Sequence, residues 1–170
     1  MKNREYIYKL TCIFLIIDQL IKFIISHTLK LYQSIPIIKN FFSITYVQNT
    51  GAAFSILEDN TSFLIIISVI FIILLDRYIK KEESYNIITS ISLGMLMGGI
   101  FGNLLDRIIY HSVIDFLDFN IFSYSFPIFN FADICITVGI FIYAIALFLE
   151  KDDNNDRRNI KGNNKWSTIW

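Results

Sequence analysis

A chain of 170 residues with fifteen basic and fifteen acidic side chains has no formal net charge. That balance removes nucleic acid as a main partner, because phosphate binding needs a basic surface. Its hydrophobic share of 54 % and mean hydropathy of +0.52 exclude an ordinary soluble domain, which is roughly 45–50 % apolar. The excess falls in runs of Ile, Leu and Phe, the pattern of an integral membrane protein.

The first apolar segment runs from about Lys9 to Thr28. Its basic start (Lys2, Arg4, Lys9) resembles a signal peptide, but Asp18, Gln19 and Lys22 interrupt the apolar core and no small-residue cleavage site follows, so a retained helix is expected. Asp18 and Lys22 are four apart and can pair, which lowers the cost of burying charge in a membrane; the pair reads equally as scaffold or as support for a site. Lys22, the nearer of the two to the far end, has a stem long enough to snorkel outward. In the long connection that follows, Phe42, Ile44 and Tyr46 alternate with Ser43 and Thr45, a period of two that predicts a short strand, and Asn49-Thr50-Gly51 signals a turn.

The second apolar segment, about Ser62 to Leu75, is short for a span unless it extends through Tyr78 and Ile79. The third covers about Asn86 to Ile109. Its Gly94, Gly98 and Gly102 share one helical face and predict close packing on a neighbour. Asn103, Asp106 and Arg107 crowd its last turns. The fourth runs from about Phe131 to Leu149, with Asn130 placed as N-cap and Asp133 in the first turn, where the helix dipole favours a carboxylate. The polar stretch 151–170, ending in Trp166 and Trp170, reads as a flexible tail. The expected fold is therefore an all-α membrane protein of four transmembrane helices (residues 1–150) with a small β-containing cap, followed by the tail.

Most basic residues lie at the N-terminus, around Arg77, Lys80 and Lys81, and in the tail, whereas Leu29–Thr61 holds only Lys30 and Lys39. The positive-inside rule then puts both termini and the middle loop in the cytoplasm. Asn49, Asp115 and Asp133 all fall on the opposite, outer face. Val113-Ile114-Asp115-Phe116 is otherwise apolar, so its acid needs a reason. If Asp115 and Asp133 meet, repulsion raises one pKa and lowers the other, leaving a shared proton near neutral pH. Such a pair deprotonates a water with one member and polarises a carbonyl with the other, the chemistry of amide hydrolysis. Ser55 and Ser112 lack a nucleophile-elbow context, and His27 and His111 have no triad-like partners. Cys12 and Cys135 sit in apolar runs as small hydrophobes, and no spacing proposes a metal or cofactor. A proton-relay transporter and a noncatalytic assembly factor are the rival readings. The first predicts polar groups spread through membrane depth and a repeat, the second an indifference to loss of either aspartate.

At five blocks the chain resembles the lipoprotein signal peptidases, or signal peptidase II, four-helix aspartyl proteases of the bacterial plasma membrane. The blocks are Asp18-Gln19-Leu20-Ile21-Lys22, Asn49-Thr50-Gly51-Ala52-Ala53-Phe54-Ser55, Gly102-Asn103-Leu104-Leu105-Asp106-Arg107, Val113-Ile114-Asp115-Phe116 and Phe129-Asn130-Phe131-Ala132-Asp133. The resemblance implies that Asp115 and Asp133 are the catalytic dyad. It implies that Asn49, Asn103, Arg107 and Asn130 line the site, that Asp18 and Lys22 support it, and that Asp106 is structural. The implied substrate is a prolipoprotein whose cysteine carries diacylglycerol, cut just before that cysteine at the outer bilayer surface. Membrane lipids and a globomycin-type inhibitor are the other implied partners. One departure stands out: His111 occupies the position four before the first aspartate where the family often has Gly.

Overall fold

The computed structural model describes residues 3–51, 60–81, 85–122 and 124–164. Ala52 to Ser55, Trp166 and Trp170 lie outside them. Four helices carry the chain: α1 (Asn3–Thr28), α2 (Thr61–Lys81), α3 (Ile87–Tyr110) and α4 (Phe131–Asn164). Each contains a stretch long and apolar enough to cross a membrane, Arg4–Thr28, Thr61–Lys81, Ile87–Tyr110 and Phe131–Leu149. The second span does extend past Leu75, through Tyr78 and Ile79. The polar stretch read as a flexible tail continues the backbone of α4 as helix to Asn164.

α3 is the hub, buried over most of its length, while the other three turn Ile, Leu and Phe outward. Apolar side chains gain nothing by leaving lipid for one another, so close backbone approach has to hold such helices together. The expected glycine face does this. A Cβ on Gly94 would strike Leu10 Cβ at 2.6 Å, and one on Gly98 would strike Phe14 Cβ at 2.8 Å and Thr11 O at 2.9 Å, both across the α1–α3 seam. On the other flank of α3, a Cβ on Gly99 would meet Ala132 O of α4 at 2.5 Å. At the end away from the cap, Tyr8 donates to Asp76 Oδ1 at 2.8 Å and ties α1 to α2.

The cap is larger than the single strand the alternation predicts. It is a four-stranded antiparallel sheet in the order β1 (Ser34–Ile38), β2 (Phe42–Asn49), β3 (Val113–Ile121), β4 (Tyr124–Ser125). β3 is the acidic apolar motif itself, which composition alone left as a connection. Its register sets Val47 opposite Asp115 and Asn49 opposite Val113. Phe129 then bridges back to Leu117, so the residues entering α4 run beside β3. Tyr46, Ile114 and Phe116 pack on Ile25 of α1 and on Leu29 just beyond its end, seating the sheet on the helix end. Burying a side chain of this size contributes about 1.5–3 kcal/mol relative to water.

The α3–β3 corner is turned by His111, whose φ of 54° is left-handed and whose N–H caps Arg107 O at 3.2 Å. Glycine reaches that conformation without steric cost. The turn therefore keeps a glycine-type C-cap although the residue is His, and Thr61 Oγ1 braces it by donating to His111 O at 3.0 Å.

Candidate active site

Asp115 enters from β3 and Asp133 from the first turn of α4, and both line one cavity of about 1210 Å3. Asn49, Asn103 and Arg107 line it too, and its wall continues down α4 through Ile134 and Thr137 to Val138. The acid pair that the sequence could only juxtapose on one face is thus at one site. Asn130 is the joint between the two. As N-cap it accepts from Asp133 N at 3.0 Å, while its own N–H donates to Asp133 Oδ2 at 3.0 Å. This reciprocal cap fixes the first turn of α4. Its side-chain Nδ2 meanwhile donates to Asp115 Oδ1 at 2.6 Å. Asn49 Nδ2 donates to the other oxygen of Asp115 at 3.0 Å, and Asn103 Nδ2 to Asp133 Oδ1 at 2.8 Å.

These contacts are all to neutral amides. Among the described residues no Lys or Arg is ion-paired with either aspartate. Arg107, expected to line the site, does so through backbone: it donates to Asn103 O at 3.3 Å and Gly51 O at 3.2 Å, tying the turn after β2 to α3. Burial, and then the charge of Asp133, push the Asp115 carboxyl from its ordinary 3.8 up to about 7, against the pull of the Asn49 and Asn130 hydrogen bonds. No group of three or more His, Cys, Asp or Glu is arranged to hold a metal ion among the described residues.

Residues 10–149 match the family model described as Signal peptidase (SPase) II. This chain belongs to the signal peptidase II family. It is thus a membrane-spanning protease, of the aspartic class. Lipoprotein signal peptidase of Staphylococcus aureus is 39 % identical over 149 residues, 87 % of this chain and 91 % of that protein. The protein of the same name from S. aureus strain JH9 is 40 % identical, over 87 % and 90 %. A bacterial membrane enzyme solved in meso at 2.3 Å superposes with a TM-score of 0.80 at 36 % identity, covering 88 % of this chain and 91 % of that one. A second such structure, at 1.9 Å, gives 0.75 at 38 % identity, covering 84 % and 92 %.

Two residues expected as supports of the site lie beneath it rather than in its wall. Asp18 and Lys22 do not reach the cavity, and Lys22 does not snorkel outward. It is fully buried beneath the site, 2.9 Å from Asp18 Oδ2 and 2.9 Å from Asp106 Oδ2. The ammonium has three strong acceptors inside, so it has no reason to leave. Gln19, to which sequence reasoning assigned no role, donates to both carboxylates of that cluster and to Gly102 O. Its position between two charged residues of one helix was the available signal. Asp118 was missed as well: it lines the cavity and accepts from Thr45 Oγ1 at 2.6 Å.

Proposed function

We propose that this peptidase removes the signal peptide from diacylglyceryl-modified prolipoproteins, cutting just before the lipidated cysteine with a water activated by Asp115 and Asp133. The observation that carries the reading is the single cavity into which both carboxylates open, joined through Asn130. Asp133 stands at the N-terminal end of a helix among amide donors. Asp115, raised to about 7, is the member suited to hold the shared proton. The ionised carboxylate takes a proton from water, the resulting hydroxide attacks the scissile carbonyl carbon, and the protonated carboxyl donates to the developing oxyanion. Collapse of that intermediate expels the amine, which takes up a proton from the dyad. Both termini lie in the cytoplasm and the cap at the outer face of the plasma membrane, in keeping with the positive-inside distribution. Signal helix and lipid chains enter from the bilayer along the α4 wall lined by Ile134 and Val138. A cyclic peptide of the globomycin type fits the same reading as an occupant of the dyad.

A gel-shift cleavage assay tests this with protein purified in detergent and a diacylglyceryl-modified prolipoprotein. Wild type should cut, with chelator present, while folded Asp115→Asn and Asp133→Asn should not. Two folded variants that cut at the wild-type rate would remove the dyad. A folded wild type that leaves the lipidated substrate whole would remove the substrate assignment.

A further inference from the structure

Beneath the cavity, Asp18, Lys22 and Asp106 form a cluster with exposures of 0 %, 1 % and 1 %. Charges so deep in a membrane helix pair are costly, and apolar residues of similar volume would pack α1 against α3 at least as well. What apolar residues could not do is make the cluster's backbone bonds. Asp106 Oδ2 accepts from Ile114 N at 3.1 Å, and Ile114 immediately precedes Asp115. Asp18 Oδ1 accepts from Ala132 N at 2.9 Å, and Ala132 immediately precedes Asp133. Lys22 Nζ stands between the two carboxylates, 2.9 Å from each, and Gln19 Nε2 bridges them a second time, at 3.2 Å to Asp18 Oδ2 and 3.0 Å to Asp106 Oδ1.

One continuous chain of contacts therefore runs from the residue before one active-site aspartate to the residue before the other. Lys22 adds a second hold. Its Nζ donates to Asn103 Oδ1 at 2.9 Å, and an ammonium there obliges the amide to turn its Nδ2 toward Asp133. Ala132 N is one of the first-turn donors that a helix cannot satisfy internally, and here α1 supplies the acceptor from across the bundle.

Resting on the assignment of Asp115 and Asp133 as the dyad, we infer that Asp18, Gln19, Lys22 and Asp106 are positioning residues whose ion-paired chain sets the separation and orientation of the two catalytic carboxylates. Its members lie outside the lining of the cavity. They hold the backbone from which each aspartate projects, so a change in their length moves the dyad while leaving the substrate cavity as it is.

The test uses full-length protein in detergent, with kcat and KM measured on a diacylglyceryl-modified prolipoprotein and folding followed by thermal unfolding. Asp18→Glu and Asp106→Glu keep every charge and lengthen one arm by a methylene. Each should lower kcat by about 10–100-fold, the scale of loss that sub-ångström to 1 Å misplacement brings, with KM within about twofold. The double Glu variant should lose less than the product of the singles, because both act through one spacing. Wild-type kcat in a folded Glu variant overturns the inference, as does a loss confined to KM. Should the Glu variants not fold, Gln19→Leu removes the neutral bridge and its bond to Gly102 O while keeping every charge, and wild-type kcat there overturns it equally. Asp115→Asn and Asp133→Asn run alongside: activity in those would sink the dyad, whereas inactivity there with full activity in the cluster variants would sink the positioning role alone.

Discussion

Two pairs of aspartates lie in the same half of this molecule and are treated in opposite ways. Asp18 and Asp106 share a lysine at 2.9 Å from each and are sealed from solvent. Asp115 and Asp133 receive only amide hydrogens, and their free edges face a cavity. The first pair is bridged by a single ammonium. The second keeps its mutual repulsion, and burial without a counter-ion leaves Asp115 near 7, where a carboxyl can exchange a proton at physiological pH. Identical side chains thus sit in two settings, one pair with a lysine between its members and the other, among the described residues, with none.

The comparison can be broken at either end. The largest effect is expected from Asp115→Asn or Asp133→Asn, each of which should lower kcat by more than about 10³-fold, the scale seen when a principal catalytic group is lost. Single-turnover cleavage measures it, and a loss below tenfold would equate the two pairs. Lys22→Met should act on stability instead. It leaves two buried carboxylates uncompensated, and breaking a buried ion pair from one side costs about 3–5 kcal/mol. Thermal unfolding in detergent should show a large fall, and an unchanged transition would mean the cluster does not depend on Lys22.

The proposed dyad should also respond to pH. Cleavage by wild type should decline as pH rises through about 7, when the shared proton leaves. Asn49→Ala removes a hydrogen bond that holds the Asp115 pKa down, so the alkaline limb of the rate profile should move upward. A limb that stays put or moves downward would show that this amide does not tune the pair.

The same titration bears on folding. Between about pH 4 and about 7 folded Asp115 keeps a proton that the unfolded chain releases, so the native state binds more protons and stability falls as pH rises. Asp115→Asn abolishes that penalty. Its melting temperature should exceed that of wild type above pH 7, and the gain should vanish toward pH 4. A constant difference across the range would assign the gain to packing instead. The smallest effect is expected away from both pairs, at the left-handed corner. His111→Gly should stabilise by about 0.5–1 kcal/mol by relieving the positive φ, less the entropy glycine loses on folding. A melting temperature at or below wild type would place the balance on the entropy side.

Much of the architecture follows from the chain read by itself. Runs of apolar residues of bilayer length determine four spans in any context, because lipid leaves backbone polar groups no other partner. The glycine spacing on α3, the Asp18–Lys22 pair and the Asn130–Asp133 cap are interactions within one or two helical turns, and periodicity reports those directly. The resemblance carried by five short blocks pointed to the family, and with it to the aspartates.

Long-range relations were not written locally. That Val113–Ile121 is a strand is decided by β2, with which it pairs, rather than by an alternation of its own. The bonds from Asn49 to Asp115 and from Asp18 to Ala132 cross 66 and 114 residues of sequence. Lys22 illustrates the limit. Its composition and spacing are compatible with an outward snorkel and with an inward bridge. Only the presence of Asn103 and Asp106 on a second helix, brought within reach by glycines that let the backbones close, decides for the bridge. Local periodicity determined which segments enter the membrane and which face each polar group takes. Tertiary packing alone decided which two carboxylates share a lysine and which two share a cavity, because that choice depends on distances between helices that no single segment encodes.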